Sequence, residues 1–245
     1  MPAHWYTGVV TSIHDLSDSV KSFLITIPEV EIFNFLAGQF VTFDLPTGEK
    51  RLQRWRSYSI ASAPRAKNEI ELCMVRTPGG LGTTYFFNEV KIGTELKFKS
   101  AEGGFVLPEP IDHDVVMICT GTGIAPFRSM LQDIYLQKRA HKNIHLIFGT
   151  RTVRDVLYYD ELMQYTYAIE GFRYDIALSR DSSPVVGSHF HAGYVHPIYL
   201  KEYASKNEQV HFYICGWSNM IDDAVENLFE NLKIPRTHIH FELYG

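Results

Sequence analysis

Residues 115–131 read VVMICTGTGIAPFRSML. Val115 to Ile118 is a continuous apolar run of the kind shown by a strand buried on both faces. Gly121-Thr122-Gly123 follows, and then a helical pattern with Pro126 near its start. Proline suits that position because the N–H it lacks would be unpaired in the first turn. Strand, glycine turn and helix form a βα unit whose free N–H groups and helix dipole suit an anion, typically a phosphate. The two glycines admit an approach that a Cβ would obstruct. The loop lacks the third glycine of G-x-G-x-x-G, so by itself it fits a phosphate site or a plain βα turn.

Downstream of this unit, apolar strand runs at 115–119, 144–149, 174–179, 210–215 and 238–243 alternate with helical patterns at 126–139, 156–166, 197–205 and 218–232. That alternation predicts an α/β domain over 111–245 with a doubly wound, five-stranded parallel sheet. Upstream the rhythm differs. Trp5–Ile13, Val20–Ile27, Gln39–Leu45, Arg56–Ile60, Glu69–Arg76 and Glu95–Lys99 are rich in β-branched and aromatic residues and are separated by turn signals. Six such strands predict an antiparallel β-barrel over 1–110. One helix, Thr83 to Asn88, opens directly after Gly79-Gly80-Leu81-Gly82. The boundary is expected after Pro108-Glu109-Pro110.

A chain of 245 residues with 45% hydrophobic and 13% aromatic content supports substantial cores. No apolar run approaches the roughly 18 residues of a membrane span, and the N-terminus MPAHWYTGVV lacks signal-peptide character. The net charge of −5 argues against general nucleic-acid binding. Cys73, Cys119 and Cys215 are odd in number and widely spaced, which excludes an iron–sulfur or zinc constellation and points to a reducing, cytoplasmic setting. His189-Phe-His191 and His238-Ile-His240 each put two imidazoles on one strand face, but no third ligand accompanies them, so surface histidines are expected and no metal.

Within the barrel, Arg56-Ser57-Tyr58-Ser59-Ile60-Ala61-Ser62 joins a cation, an aromatic ring and hydroxyls. Alternation sends Arg56, Tyr58 and Ile60 to one face and Ser57 and Ser59 to the other. Judged by spacing, an ordinary amphipathic strand reads the same way. The run RSYSIAS resembles the R-x-Y-S-x-x-S flavin motif of the ferredoxin–NADP reductase superfamily. The rest follows that family's order: GGLGTTYFF, CTGTGIAP, FGTR, ICGW and FELYG. The resemblance spans nearly the whole chain.

The resemblance implies two cofactors, FAD and NADP. Arg56 would pair with the FAD pyrophosphate, a task suited to a guanidinium fork. Tyr58 would pack on the flavin, Ser59 would place a hydroxyl near flavin N5, and Ser57 and Ser62 complete the motif. N–H groups of Leu81, Gly82 and Thr83 would cap the pyrophosphate. In the second domain, Gly121, Thr122 and Gly123 would face the nicotinamide coenzyme's pyrophosphate, with Thr150, Arg151 and Gly216 at the same sheet edge. Cys215 would sit beside nicotinamide C4 without a covalent role, while Cys73 and Cys119 read as buried apolar residues. Ser179-Arg180 would bind the 2′-phosphate, and Tyr194 would stack on adenine. Glu242 and Tyr244 match a terminal E-x-Y, with Tyr244 expected on the flavin face. Gly245 follows it, whereas the plant pattern ends on the aromatic.

The activity implied is hydride transfer between NADPH and FAD, with single electrons passing to or from ferredoxin or flavodoxin, by a monomer. Alternatives are the NAD(P)H-dependent reductase component of an oxygenase, a free-flavin reductase, or a non-catalytic electron-transfer subunit. Lys50, Arg51, Arg54, Lys97 and Lys99 would form a basic rim for an acidic carrier.

Overall fold

The computed structural model describes residues 4–181, 189–205 and 209–244. Gly245 lies outside them. The chain divides into two compact units, Met1–Val106 with Ala125–Asp133, and Leu107–Ile124 with Ile134–Gly245.

The first unit holds β1 (Trp5–Ser17), β2 (Val20–Thr26), β3 (Phe40–Asp44), the single-turn α1 (Arg51–Arg54), β4 (Trp55–Ser59), β5 (Glu69–Val75), α2 (Leu81–Asn88) and β6 (Glu95–Lys99). Its strands pair antiparallel in the order β4-β3-β6-β1-β2-β5. An isolated bridge between Ile60 and Leu72 joins the continuation of β4 to β5 and closes the ring. Burial alternates along the start of β5, where Ile70 and Leu72 are fully buried and Glu69 and Glu71 are not. Inside, Phe23, Phe43, Phe86 and Phe98 are fully buried. Phe86 comes from α2 and meets Phe23 and Phe43 edge-on at 5.2 and 5.6 Å. Edge-on packing suits ring quadrupoles and fixes α2 against the barrel.

The second unit holds β7 (Asp114–Thr120), α3 (Ile124–Gln137), β8 (Ile144–Thr150), α4 (Tyr159–Ala168), β9 (Phe172–Leu178), β10 (Phe190–Ala192), α5 (His196–Glu202), β11 (Val210–Gly216), α6 (Ser218–Glu226) and β12 (Ile239–Leu243). The middle of α3 belongs to the first unit. All pairs are parallel, in the order β10-β9-β8-β7-β11-β12. The expected five strands are therefore six. β10 has three residues, too few for a period to register, and it is a strand because β9 offers Ile176, Ala177 and Leu178 as partners.

The order places β7 in the middle. The chain winds outward through β8, β9 and β10, then returns to lay β11 on the other side of β7. The strand order reverses between β7 and β11, and ligands of doubly wound sheets bind at the carboxyl ends beside such a reversal.

Candidate functional site

In the first unit, β4 runs beside β3 with Val41 opposite Tyr58 and Phe43 opposite Arg56. Arg56 is half-buried, and its Nη1 donates to the carbonyls of Leu52 and Trp55 at 2.7 and 2.6 Å. Its Nε and Nη2 make no hydrogen bond among the described residues. Tyr58 packs on Phe43 and Phe86. Burial holds its phenol well above the ordinary range, against the nearby Arg56 charge, so the hydroxyl stays protonated and able to donate.

The first turn of α2 lies against both side chains. A Cβ on Gly82 would fall 2.5 Å from Tyr58 Oη and 2.8 Å from Arg56 Cγ. Only glycine lets the helix N-terminus come this close. No side chain caps α2, and Thr83 Oγ1 instead accepts from the Thr77 N–H at 3.2 Å. A cation, a phenol donor and an uncapped helix N-terminus thus lie side by side, a donor set that fits a pyrophosphate.

The hydroxyls of the same motif divide. Ser57 faces the other side of the strand and pairs with Thr42 at 2.9 Å. Ser59 is buried, at 5% exposure. Ser62 Oγ accepts from the Glu71 N–H at 3.0 Å, so its hydroxyl already serves the backbone.

Residues 61–63 are fastened by polar side chains of α3. Arg128 Nη1 donates to the Ala61 carbonyl and to Glu71 Oε2, Ser129 Oγ to the Ser62 carbonyl, and the Ala63 N–H to Gln132 Oε1. Buried polar groups require such partners. Sequence reasoning missed this brace; the signal was polar residues at 128, 129, 132 and 133 in an otherwise apolar helix.

In the second unit, the ends of β7 and β11 meet at the reversal. Gly121 has φ +53° and nothing within 4 Å of where its Cβ would be. Gly123 serves packing: its Cβ would lie 2.3 Å from the Cys215 carbonyl oxygen. Parallel register puts Cys119 and Glu242 on either side of Cys215. Tyr244 Oη lies 3.5 Å from the Thr122 carbonyl oxygen. Burial holds the Cys215 thiol well above its ordinary range, the Glu242 carboxylate adds to this, and a hydrogen bond with Tyr244 opposes it. Cys215 is therefore a neutral thiol, unsuited to nucleophilic attack. All three cysteines are free and buried.

The next two strand ends form a second cluster. The N–H groups of Ser179 and Arg180 donate to the carbonyls of Thr150 and Arg151, and Ser179 Oγ also donates to Thr150. Arg151 and Arg180 are thereby neighbours, both exposed, with Arg154 in the following turn. None of the three is ion-paired among the described residues. The Gly193 N–H donates to Leu178, which brings the 71% exposed Tyr194 to this edge. Arg154 was not singled out by sequence, although it lies three residues from Arg151.

The histidine pairs are not freely solvated. His191 Nε2 meets Asp175 Oδ1 at 2.6 Å, His189 meets Tyr159 Oη at 3.0 Å, and His238 and His240 join a ring stack. Among the described residues no group of three or more His, Cys, Asp or Glu is arranged to hold a metal. Nor is any described helix long and apolar enough to cross a membrane.

Residues 7–107 match the oxidoreductase FAD-binding domain family, and residues 117–226 match the oxidoreductase NAD-binding domain family. A ferredoxin–NADP reductase B from Sorangium cellulosum is 32% identical over 242 residues, covering 96% of both chains. The electron transfer component of anthranilate 1,2-dioxygenase from Acinetobacter baylyi is 27% identical over 237 residues, which are 96% of this chain and 66% of that protein. A ferredoxin NADP+ reductase from Neisseria gonorrhoeae, solved with bound FAD and NADP, superimposes with a TM-score of 0.79 at 24% identity over 98% of each chain. With paired domain matches and a relative similar along its whole length, the chain is an oxidoreductase of the ferredoxin–NADP reductase superfamily, with an FAD-binding and a nicotinamide-coenzyme-binding domain.

Proposed function

We propose that the protein moves hydride between NADPH and FAD and exchanges single electrons with a small acidic carrier, a ferredoxin or a flavodoxin. The observation that carries this reading is the constellation at the strand reversal. There, Gly123 admits the Cys215 backbone, and Glu242 and Tyr244 flank a thiol kept neutral by burial. When bound, the flavin supplies the conversion between two-electron and one-electron chemistry. Arg56 binds the FAD pyrophosphate with the N–H groups of Leu81, Gly82 and Thr83, while Tyr58 donates from beside the flavin. Ser59 is assigned to the neighbourhood of flavin N5, with Ser57 and Ser62 supporting its strand. Gly121, Thr122, Gly123 and Gly216 bind the coenzyme's pyrophosphate. Cys215 positions the nicotinamide, and Glu242 and Tyr244 orient it from the last strand. Thr150, Arg151, Ser179 and Arg180 take the 2′-phosphate, and Tyr194 stacks on adenine.

NADP is favoured over NAD by the cluster of Arg151, Arg154 and Arg180, since a ribose hydroxyl more often meets a carboxylate. Anaerobic addition of NADPH is expected to bleach the flavin absorbance. Arg180→Ala should weaken use of NADPH about ten- to hundredfold, the cost of a charge-assisted hydrogen bond, and leave NADH nearly unaffected. Equal losses with both coenzymes would remove Arg180 from the 2′-phosphate site; absence of bleaching would overturn the hydride-transfer reading.

The carrier-docking face is drawn from the barrel. Arg51 Cζ stands 3.9 Å from the Trp55 ring centroid, Lys99 Nζ 4.0 Å from it, and Lys97 Nζ 5.3 Å from that of Trp5. The two rings meet at 5.5 Å. Arg54, expected in this rim, is instead spent on Asp44, with Nε donating to Oδ1 at 2.8 Å. Lys99 also stands 3.9 Å from Glu102 and is largely covered, which leaves Arg51 and Lys97 as the exposed cations on these indole faces, an arrangement that favours an acidic partner. Reduction of such a carrier should therefore slow steeply from low to moderate ionic strength, and ferricyanide reduction much less. Equal salt dependence would dismiss this face.

A second reading, the reductase component of an oxygenase, is favoured by the match to the dioxygenase electron transfer component. Reconstitution with candidate acceptor proteins separates the two.

A further inference from the structure

At the amino-terminal edge of the parallel sheet, away from the strand ends that carry the candidate site, four histidines from separate segments converge. His113 precedes β7, His211 is the second residue of β11, His238 ends the turn before β12, and His240 is the second residue of β12. Tyr213 stands opposite His240 in the β11–β12 register. Alternation then puts residues 211, 213, 238 and 240 on one face of the sheet. The rings stack: His113 on His211 at 3.7 Å, His238 on His211 at 4.1 Å, and His240 on Tyr213 at 4.4 Å. His211 Nδ1 and His240 Nε2 share a hydrogen bond of 3.1 Å. Two rings within stacking distance of His211 must occupy its opposite faces. Their in-plane lone pairs cannot then converge on one ion, so the array is not a metal cage.

The stack is built for neutral imidazoles. His113 Nε2 and His238 Nδ1 are buried and have no hydrogen-bond partner among the described residues. A proton added at either nitrogen would create a buried donor without an acceptor. The charged and titratable groups acting on His211 are His113, His238, His240 and Asp112. Asp112 is the single carboxylate among them; it is exposed and already bonded to His113 Nδ1 at 3.0 Å. Burial, reinforced by the neighbouring imidazoles, pushes His211 down to about 4. Burial and His113 and His238 likewise lower His240.

β12 is an edge strand and, among the described residues, pairs only with β11. We propose that the imidazole stack is an acid-operated release for β12: protonation drives the edge strand off β11 and carries Glu242 and Tyr244 away from Cys215. The sign follows from linkage. A histidine whose folded value lies below its unfolded one binds fewer protons when folded, so its contribution is intact above about pH 6.5 and is lost as pH falls towards about 4. If release restores an ordinary value to His211, the opening equilibrium shifts at about pH 5 by at most about thirtyfold, and by less to the extent that solvent screens the partly exposed ring. The consequence for Glu242 and Tyr244 rests on the proposed coenzyme site, so the test reads the strand and not turnover.

The experiment is hydrogen–deuterium exchange of the full chain loaded with FAD, corrected for intrinsic rates, at about pH 7.5 and about pH 5. Protection of residues 239–243 should fall about ten- to thirtyfold while β7 and β8 keep theirs. In His211→Phe, which keeps a stacking ring without a titrating nitrogen, the fall should shrink to about threefold or less. His113→Phe, which removes one of the neighbouring imidazoles that lower His211, should also reduce it. Unchanged protection of 239–243, equal loss in β7 and β8, or the wild-type pH dependence in a folded variant would each overturn the proposal.

Discussion

Arg56→Ala is expected to yield a folded protein that loses its flavin on gel filtration. The side chain is half-buried and among the described residues donates only to the carbonyls of Leu52 and Trp55, with Leu52 itself exposed. Water can replace those bonds, so the barrel core of Phe23, Phe43, Phe86 and Phe98 should hold. Arg56 lies against Gly82 beside Tyr58, so the assigned pyrophosphate would lose this charged partner. Losing a charge-assisted hydrogen bond costs about 1.5–3 kcal/mol, or about ten- to hundredfold in affinity. Arg56→Lys should recover part of the loss, because a point charge remains but the planar fork does not. Visible absorbance after dilution and filtration measures the outcome. Full flavin retention by the alanine variant would remove Arg56 from the site.

Gly123→Ala should be far more damaging than Gly121→Ala, although both glycines belong to one three-residue loop. At Gly123 the new methyl would lie 2.3 Å from the Cys215 carbonyl oxygen, 2.7 Å from its carbon and 2.9 Å from Gly216 Cα. These are backbone atoms of a central strand and cannot rotate away. Overpacking of this kind costs about 1–3 kcal/mol or more, which for a chain of this size lowers Tm by about 3–10 °C. It should also push Cys215 away from the loop and weaken coenzyme use. At Gly121 the methyl meets nothing within 4 Å, and the cost is that of a left-handed φ of +53°, about 1 kcal/mol. Thermal unfolding of the two variants is the check. Equal, small shifts would mean that β7 and β11 can separate at their ends without penalty.

The sequence by itself determined the elements. Period-two alternation in Glu69–Val75, the apolar run before Gly121 and the turn clusters between strands each lie within a few residues. Local sterics and one-sided burial are enough to encode them. The same locality made the RSYSIAS, GGLG and GTG stretches readable, and with them the two cofactor sites as expectations. What needed the tertiary structure joins residues distant in the chain. β10 exists because β9 offers it partners. Arg128 is a brace because Glu71, 57 residues earlier, is brought beside it. Gly123 is also a packing position, because its missing Cβ admits the Cys215 backbone. His113, His211, His238 and His240 become one stack only when β7, β11 and β12 lie side by side in register. Strand order and register arise from the burial of whole faces, which no short window of sequence contains.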